Sequence, residues 1–140
     1  MDPSCIFCQI VLGQAPAATI YEDDFTLAFL DLNPINPGHS LVIPKEHHAE
    51  LFTLTPETYQ AVASTTLKVA QAIREVIKPA GMNIFQANGV MAGQTVFHLH
   101  NHLLPRHPND SLKVEVHGLR PATGDELEQV AGPIREQLSR

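Results

Sequence analysis

Val96-Phe97-His98-Leu99-His100-Asn101-His102-Leu103-Leu104-Pro105-Arg106 is the stretch on which the reading of this chain turns. Taken as a strand over residues 96–104, it sends successive side chains to opposite faces. His98, His100 and His102 then share one face, and Leu99, Asn101 and Leu103 the other. Side chains two apart on a strand are roughly 6.5–7 Å from each other, so neighbouring imidazoles can act in concert without all binding one ion. Three uses of such a face are open. It can be solvated, it can contribute to a metal cage, or it can carry nucleophilic catalysis. In the last, a neutral imidazole attacks an electrophile while an acceptor holds the proton on the other ring nitrogen.

Working outward, residues 83–87 read as a further strand, joined to the histidine strand by the loop Asn88-Gly89-Val90-Met91-Ala92-Gly93. Before it comes the clearest helix. Thr55 is its N-cap and Pro56 its first helical residue. Tyr59, Val62, Thr66, Val69, Ile73 and Val76 with Ile77 step by three and four, which predicts one buried stripe. Residues 18–22 and 26–31 form a hairpin around Asp23-Asp24, and residues 39–44 a third strand after the Pro- and Gly-containing loop 33–38. A short helix or turn over residues 5–13 stops at Gly13. Near the end, Thr123-Gly124-Asp125-Glu126 has the form of a capping box, followed by Leu127, Val130, Ala131, Ile134 and Leu138 at helical spacing. Pro133 inside that run predicts a kink or break. The expected fold is therefore α+β: an antiparallel sheet of about five strands, one long helix, a short N-terminal helix and a C-terminal helix. Residues 1–110 form the domain proper, and residues 111–140 an extension packing on it.

With 140 residues, 44% of them hydrophobic and 17% charged, the chain suits one domain with a real core. Nine Lys and Arg against 15 Asp and Glu leave a net charge of −6, which argues against sequence-blind binding to nucleic acid or an anionic membrane. No apolar run is long enough to span a bilayer, and the N-terminus has no secretory pattern, so a cytoplasmic protein is expected. Cys5 and Cys8 form a C-x-x-C pair. In a reducing compartment this is either a redox pair or half of a zinc site that needs two more nitrogen or sulfur ligands. Eight histidines make those ligands easy to supply.

Residues 93–104, from Gly93-Gln94-Thr95 through the three alternating histidines, resemble the signature of the histidine triad (HIT) family, His-φ-His-φ-His-φ-φ with φ apolar. The blocks Ala28-Phe29-Leu30-Asp31-Leu32-Asn33-Pro34 and Gly38-His39-Ser40-Leu41-Val42-Ile43-Pro44-Lys45 resemble that family's other characteristic stretch. Asn101 departs from the pattern, which expects an apolar residue there; on a strand it points away from the histidines.

The resemblance implies a nucleotide-binding hydrolase. By similarity His100 would attack the α-phosphorus of an AMP adduct, giving a nucleotidyl-histidine that water then cleaves. His102 and His39 would flank the phosphate, and Thr95 would donate to the leaving group. Gln94, Gly93 and Asn88 would orient the phosphate. Asp31 would accept the ribose hydroxyls, with Ile6, Phe7, Phe29 and Leu32 as the slot for the base. Structural zinc is implied at Cys5, Cys8, His47 and His98, with His48 as rival to His47. A homodimer is implied too. Nucleoside 5′-phosphoramidates or related AMP adducts are the expected substrates. The alternatives are a dinucleoside polyphosphate hydrolase or phosphorylase, and a regulatory or scaffold protein that binds nucleotide without needing catalysis. A zinc-dependent structural adaptor is a further class.

Overall fold

Cys5 begins the first element. Its backbone is extended, and its sulfur accepts from the Cys8 N–H, capping α1 (Ile6–Val11). The computed structural model describes all residues, Met1–Arg140. Strands β1 (Thr19–Glu22) and β2 (Thr26–Leu30) follow as an antiparallel hairpin. Asp23 makes the turn: its Oδ1 accepts from the N–H groups of Phe25 and Thr26, both at 2.8 Å. After β3 (Ser40–Pro44), Thr55 Oγ1 accepts from Thr58 N–H and opens α2 (Pro56–Ile77). Lys78 ends that helix in the left-handed region, at φ 54°. Then come β4 (Gly81–Phe85), β5 (Asn101–Arg106) and α3 (Gly124–Leu138).

The five strands form one antiparallel sheet in the order β1-β2-β3-β5-β4. Its two faces are legible in the register, because directly paired residues point the same way. Ala28, Val42 and Asn101 are paired in a row. On this face Ala28, Val42 and Leu103 pack against Val62, Val69 and Ile73 of α2 and against Leu99. Phe29, Leu41, His102 and Phe85 make the matching row on the opposite face. There Phe29 and Leu41 join Leu27 and Ile43 under Phe7, Cys8 and Ile10 of α1. Leu103 is fully buried in the α2 layer, and truncating it to Ala should cost about 2–5 kcal/mol.

Several boundaries differ from the expectation. The histidine strand was expected over residues 96–104, but β5 begins at Asn101. The segment before it joins no ladder; Leu99 N–H donates instead to the His48 carbonyl at 2.7 Å. The strand then continues through Pro105. Its pairing with β3 ends at Leu103, so the missing N–H forfeits no bond on that side. The Pro105 carbonyl accepts from Asn36 Nδ2. The strand expected at residues 83–87 lies at Gly81–Phe85. In α2, Val62, Thr66, Val69 and Ile73 are buried as the stripe predicts, joined by Thr65, whereas Tyr59 and Val76 are exposed.

The C-terminal extension departs further. Pro133 does not break α3, which runs continuously from Gly124 to Leu138. None of its residues is buried, and Leu127, Val130, Ile134 and Leu138 are all more than half exposed. Within this chain the apolar stripe of α3 is therefore uncovered. The helical spacing set a stripe, but spacing does not say which surface covers it. No helix is long and apolar enough to cross a membrane.

Candidate functional site

The loop between β2 and β3 sets the back of the site. Gly38 sits at φ +90°, and a Cβ there would come within 3.2 Å of Ile77 Cγ1, so the chain needs glycine to turn here. That turn delivers His39, whose ring is buried. Ile35 N–H donates to His39 Nδ1 at 3.2 Å. A backbone N–H can only donate, so Nδ1 is the acceptor and the His39 proton sits on Nε2. His39 Nε2 lies 2.9 Å from His102 Nδ1, which must then accept. The His102 proton is thereby placed on its own Nε2. Three residues thus form a directed chain of N–H donors, from Ile35 through His39 to His102, ending in an outward-facing donor. Asp31 Oδ2 stands 3.6 Å from His39 Nε2, while its Oδ1 accepts from Asn33 N–H.

His100 is fixed separately. Its Nδ1 donates to the His98 carbonyl at 2.8 Å, leaving Nε2 unprotonated. Phe7 packs edge-on against this ring, with centroids 5.2 Å apart. Desolvation by burial lowers the His100 pKa, partly opposed by its bond to His98 and by Asp31. It likewise pushes His102 down to about 4, helped by the neighbouring His100 and His39. His39 is lowered by the same burial, against the pull of Asp31. All three rings are accordingly neutral near pH 7.

Both His100 and His102 line a cleft of about 340 Å³. Ile6, Phe7, Phe29 and Leu32 supply its apolar wall, together with Ile10, Leu41 and Val96. Asp31, Asn33 and Thr95 supply polar groups. This volume lies in the ordinary range for a small-molecule site. A slightly larger hollow, about 400 Å³ between Phe25 and Glu57, contains no imidazole.

Four of the expected site residues stand off the cleft lining. His39 lies behind His102. Gln94 was expected to orient a phosphate, but its buried side chain is occupied: it accepts from Gly89 N–H and donates to the carbonyls of Ala49 and Val96. Its amide pins one loop to another. Gly93, at φ +90°, closes the short 3-10 turn Val90–Ala92. Asn88 accepts from Leu51 N–H and donates to Gln86 Oε1. From there Gln86 Nε2 donates to Asn101 Oδ1 at 2.7 Å, and Asn101 Nδ2 donates to Thr66 Oγ1. The polar residue in an apolar slot of the pattern is thus part of a chain tying Asn88 to α2. Phe85 was missed by the sequence reading. Its ring stacks on His102 with centroids 4.2 Å apart and planes within 8°. Only the register of β4 against β5, which pairs Phe85 with His102, exposes it.

A second cluster lies next to the first. Cys5 Sγ, Cys8 Sγ, His47 Nδ1 and His98 Nδ1 all lie within 4.8 Å of one another. Sulfur-to-nitrogen separations are 3.3–3.5 Å, and the two nitrogens are 3.3 Å apart. Tetrahedral bonds of about 2.0–2.1 Å to nitrogen and 2.3 Å to sulfur require edges of about 3.4–3.6 Å. The four atoms therefore fit one metal ion. His98 Nε2 donates to the Pro44 carbonyl at 2.8 Å, which turns Nδ1 toward the cysteines, as an outer-shell partner does for a ligand. Burial raises the Cys5 thiol pKa, and a bound cation would reverse that by favouring the thiolate. His48, the rival ligand, is not in the cluster. Asp31, His39 and His102 also approach each other within 4.8 Å, but the 2.9 Å contact between the rings is a hydrogen bond, too short for two ligands of one ion.

A five-stranded antiparallel sheet with α2 on one face and α1 on the other, two neutral imidazoles lining a cleft, and a third, His39, behind them define a histidine triad domain. The chain belongs to the HIT domain family, whose model matches residues 12–109. It is 43% identical over 107 residues to adenosine 5′-monophosphoramidase hnt1 of Schizosaccharomyces pombe, covering 76% of this chain and 77% of that one. It is 40% identical over 112 residues to adenylylsulfatase HINT3 of Arabidopsis thaliana, covering 80% and 57%. Among solved structures, a HIT family protein from Bacillus anthracis matches with a TM-score of 0.91 and 40% identity, over 98% of this chain and 99% of that one. A Zn-bound histidine triad family protein from Mycobacterium smegmatis matches at 0.74 and 40%, over 97% and 96%.

Proposed function

We propose that the chain is a nucleotide hydrolase that cleaves the α-phosphate bond of nucleoside 5′-phosphoramidates or related AMP adducts. The observation that carries this reading is the tautomer of His100, with Nδ1 protonated and held by the His98 carbonyl, and Nε2 left as a nucleophile. In the first step His100 Nε2 bonds to the α-phosphorus and the phosphorus–nitrogen bond of the adduct breaks. The departing amine takes a proton from solvent through the Thr95 hydroxyl, while the neutral His102 donates its Nε2–H as a hydrogen bond to a phosphate oxygen. Water then attacks phosphorus, the bond to His100 breaks with its electron pair returning to Nε2, AMP leaves, and the water proton passes to solvent. Splitting one displacement into two is the advantage of the covalent route. Asp31 serves the ribose hydroxyls, and Ile6, Phe7, Phe29 and Leu32 serve the base. His39 and Phe85 position His102, and the Asn88 chain braces the phosphate side.

The Cys5, Cys8, His47 and His98 cluster is proposed to hold a structural zinc ion. Four protein ligands leave no open position for water, so the ion would brace the fold. The two buried free thiols suit a reducing, cytoplasmic setting. A homodimer is proposed as the working form. A 15-residue helix is marginal on its own in water, and α3 has an uncovered apolar stripe that a second copy would bury. Light scattering should then give twice the chain mass.

Rapid quench with a labelled AMP–amine adduct tests the chemistry. Wild-type protein should form a labelled protein intermediate within one turnover, and His100→Ala should form none, with kcat down by several orders of magnitude. An active His100→Ala variant refutes the covalent route. Turnover of a diadenosine polyphosphate alone would replace the proposed substrate class.

A further inference from the structure

A second hollow, of about 280 Å³, adjoins the reactive cleft. Ile6, Thr95 and Val96 line both, so these residues form the ridge between them. The hollow has an apolar side in Phe97 and Ile6, residues that are 45% and 43% exposed. Its polar side is Asp2 and Ser4. Asp2 Oδ1 accepts from Ser4 N–H at 2.9 Å and from Ser4 Oγ at 2.7 Å. These bonds fix the carboxylate and leave Oδ2 without a partner in the chain. The Ser4 hydroxyl also holds the Asp2 carboxyl below its usual range, so it is ionised at neutral pH. The N-terminal ammonium acts on it in the same direction.

In-line displacement sends the leaving group away from the attacking nitrogen, and Thr95 is the hydroxyl assigned to that group. What lies across the Thr95 ridge is therefore met by the leaving group and not by the nucleotide. We infer that the hollow is a leaving-group subsite, selecting amines that join an apolar or aromatic body to a second, distal positive charge. The inference rests on the function proposed above and narrows its substrate class. Phe97 would take the body and Asp2 Oδ2 the charge. The same carboxylate repels an anionic leaving group such as a polyphosphate, and a net charge of −6 adds to that repulsion.

The test compares three AMP phosphoramidates of matched size, whose arylalkyl amine ends in an ammonium, a hydroxyl or a carboxylate. Wild-type kcat/KM should fall in that order, with about a threefold to tenfold preference for ammonium over hydroxyl, as a solvent-edge ion pair gives. Asp2→Asn keeps the acceptor for Ser4, so it folds normally, and should bring that ratio close to one. Phe97→Ala should erase the advantage of an aryl over a methyl body. An ammonium preference that persists in Asp2→Asn overturns the subsite, as does wild-type turnover indifferent to charge. Failure of wild type on all three substrates is a different result: it removes the proposed function, and the subsite with it.

Discussion

Replacing His39 with Phe isolates the part played by the hydrogen-bonded histidine chain. The ring volume is kept, and two bonds are removed: Ile35 N–H to Nδ1, at 3.2 Å, and Nε2–H to His102 Nδ1, at 2.9 Å. Each buried neutral bond contributes about 0.5–1.5 kcal/mol net, so the loss should be about 1–3 kcal/mol. For a domain of this size that corresponds to a melting temperature lower by about 4–10 °C. The effect on catalysis has another origin. Without the His39 donor, nothing obliges His102 to carry its proton on Nε2, the nitrogen that would donate a hydrogen bond to the phosphate. Losing such an orienting partner should lower kcat about 10- to 100-fold, by analogy with outer-shell partners elsewhere. KM should move little, because His39 is outside the cleft lining. His39→Gln can accept from Ile35 through its oxygen and donate to His102 through its nitrogen, so it should recover part of kcat. Scanning calorimetry and steady-state rates on an AMP phosphoramidate read both effects. A His39→Phe enzyme with wild-type kcat, or equal damage in Phe and Gln variants, would refute the tautomer argument.

Asn101→Leu restores the residue type the family pattern expects, yet it should destabilise by about 1–2 kcal/mol, because Gln86 and Thr66 each lose a partner; a melt unchanged or raised would contradict the network. Cys8→Ser, or prolonged chelation, should remove bound metal and lower the melting temperature, as followed by elemental analysis and calorimetry; identical melts with and without chelator exclude the metal. Acid should weaken the fold before carboxylates titrate. His102, at about 4, and His39 both have folded pKa values below the unfolded 6.5, so the unfolded state binds more protons in that window. Stability is full above about pH 6.5 and falls toward pH 4, with His102 contributing roughly 1–2 kcal/mol after solvent screening. Below that, protonation of Asp110, held well below the usual carboxylate range by Arg106, adds a further loss. Urea titrations at stepped pH in a His39→Phe, His102→Phe protein should lose the upper step and keep the lower one.

The elements that sequence reading located well are those with local causes. Thr55 and Pro56 start α2 by capping chemistry, and Asp23 makes its turn with its own carboxylate. The alternation of His98, His100 and His102 misled at one point, since it looks like a continuous strand. In the structure residues 96–100 lie outside the ladder, where the His98 ring reaches Cys5, Cys8 and His47. Eight expected residues line the cleft, because the family pattern and the strand register agree there. Gln94 and Phe85 were illegible for opposite reasons. Gln94 spends its amide in part on the Ala49 carbonyl, 45 residues away, and Phe85 reaches His102 only through a neighbouring strand. Nothing local encodes either. The exposure of α3 belongs with these, since its covering surface is not in its own sequence.

His98 holds two posts at once. Its ring belongs to the cysteine cluster, while its main-chain oxygen grips the proton of His100. One peptide unit therefore couples a mechanical anchor to an electronic state. Twisting the anchor would rotate that oxygen, free the proton, and let it migrate to Nε2, the nitrogen proposed to attack. Damage at the cysteines would then silence the proposed nucleophile although neither cysteine lines the cleft.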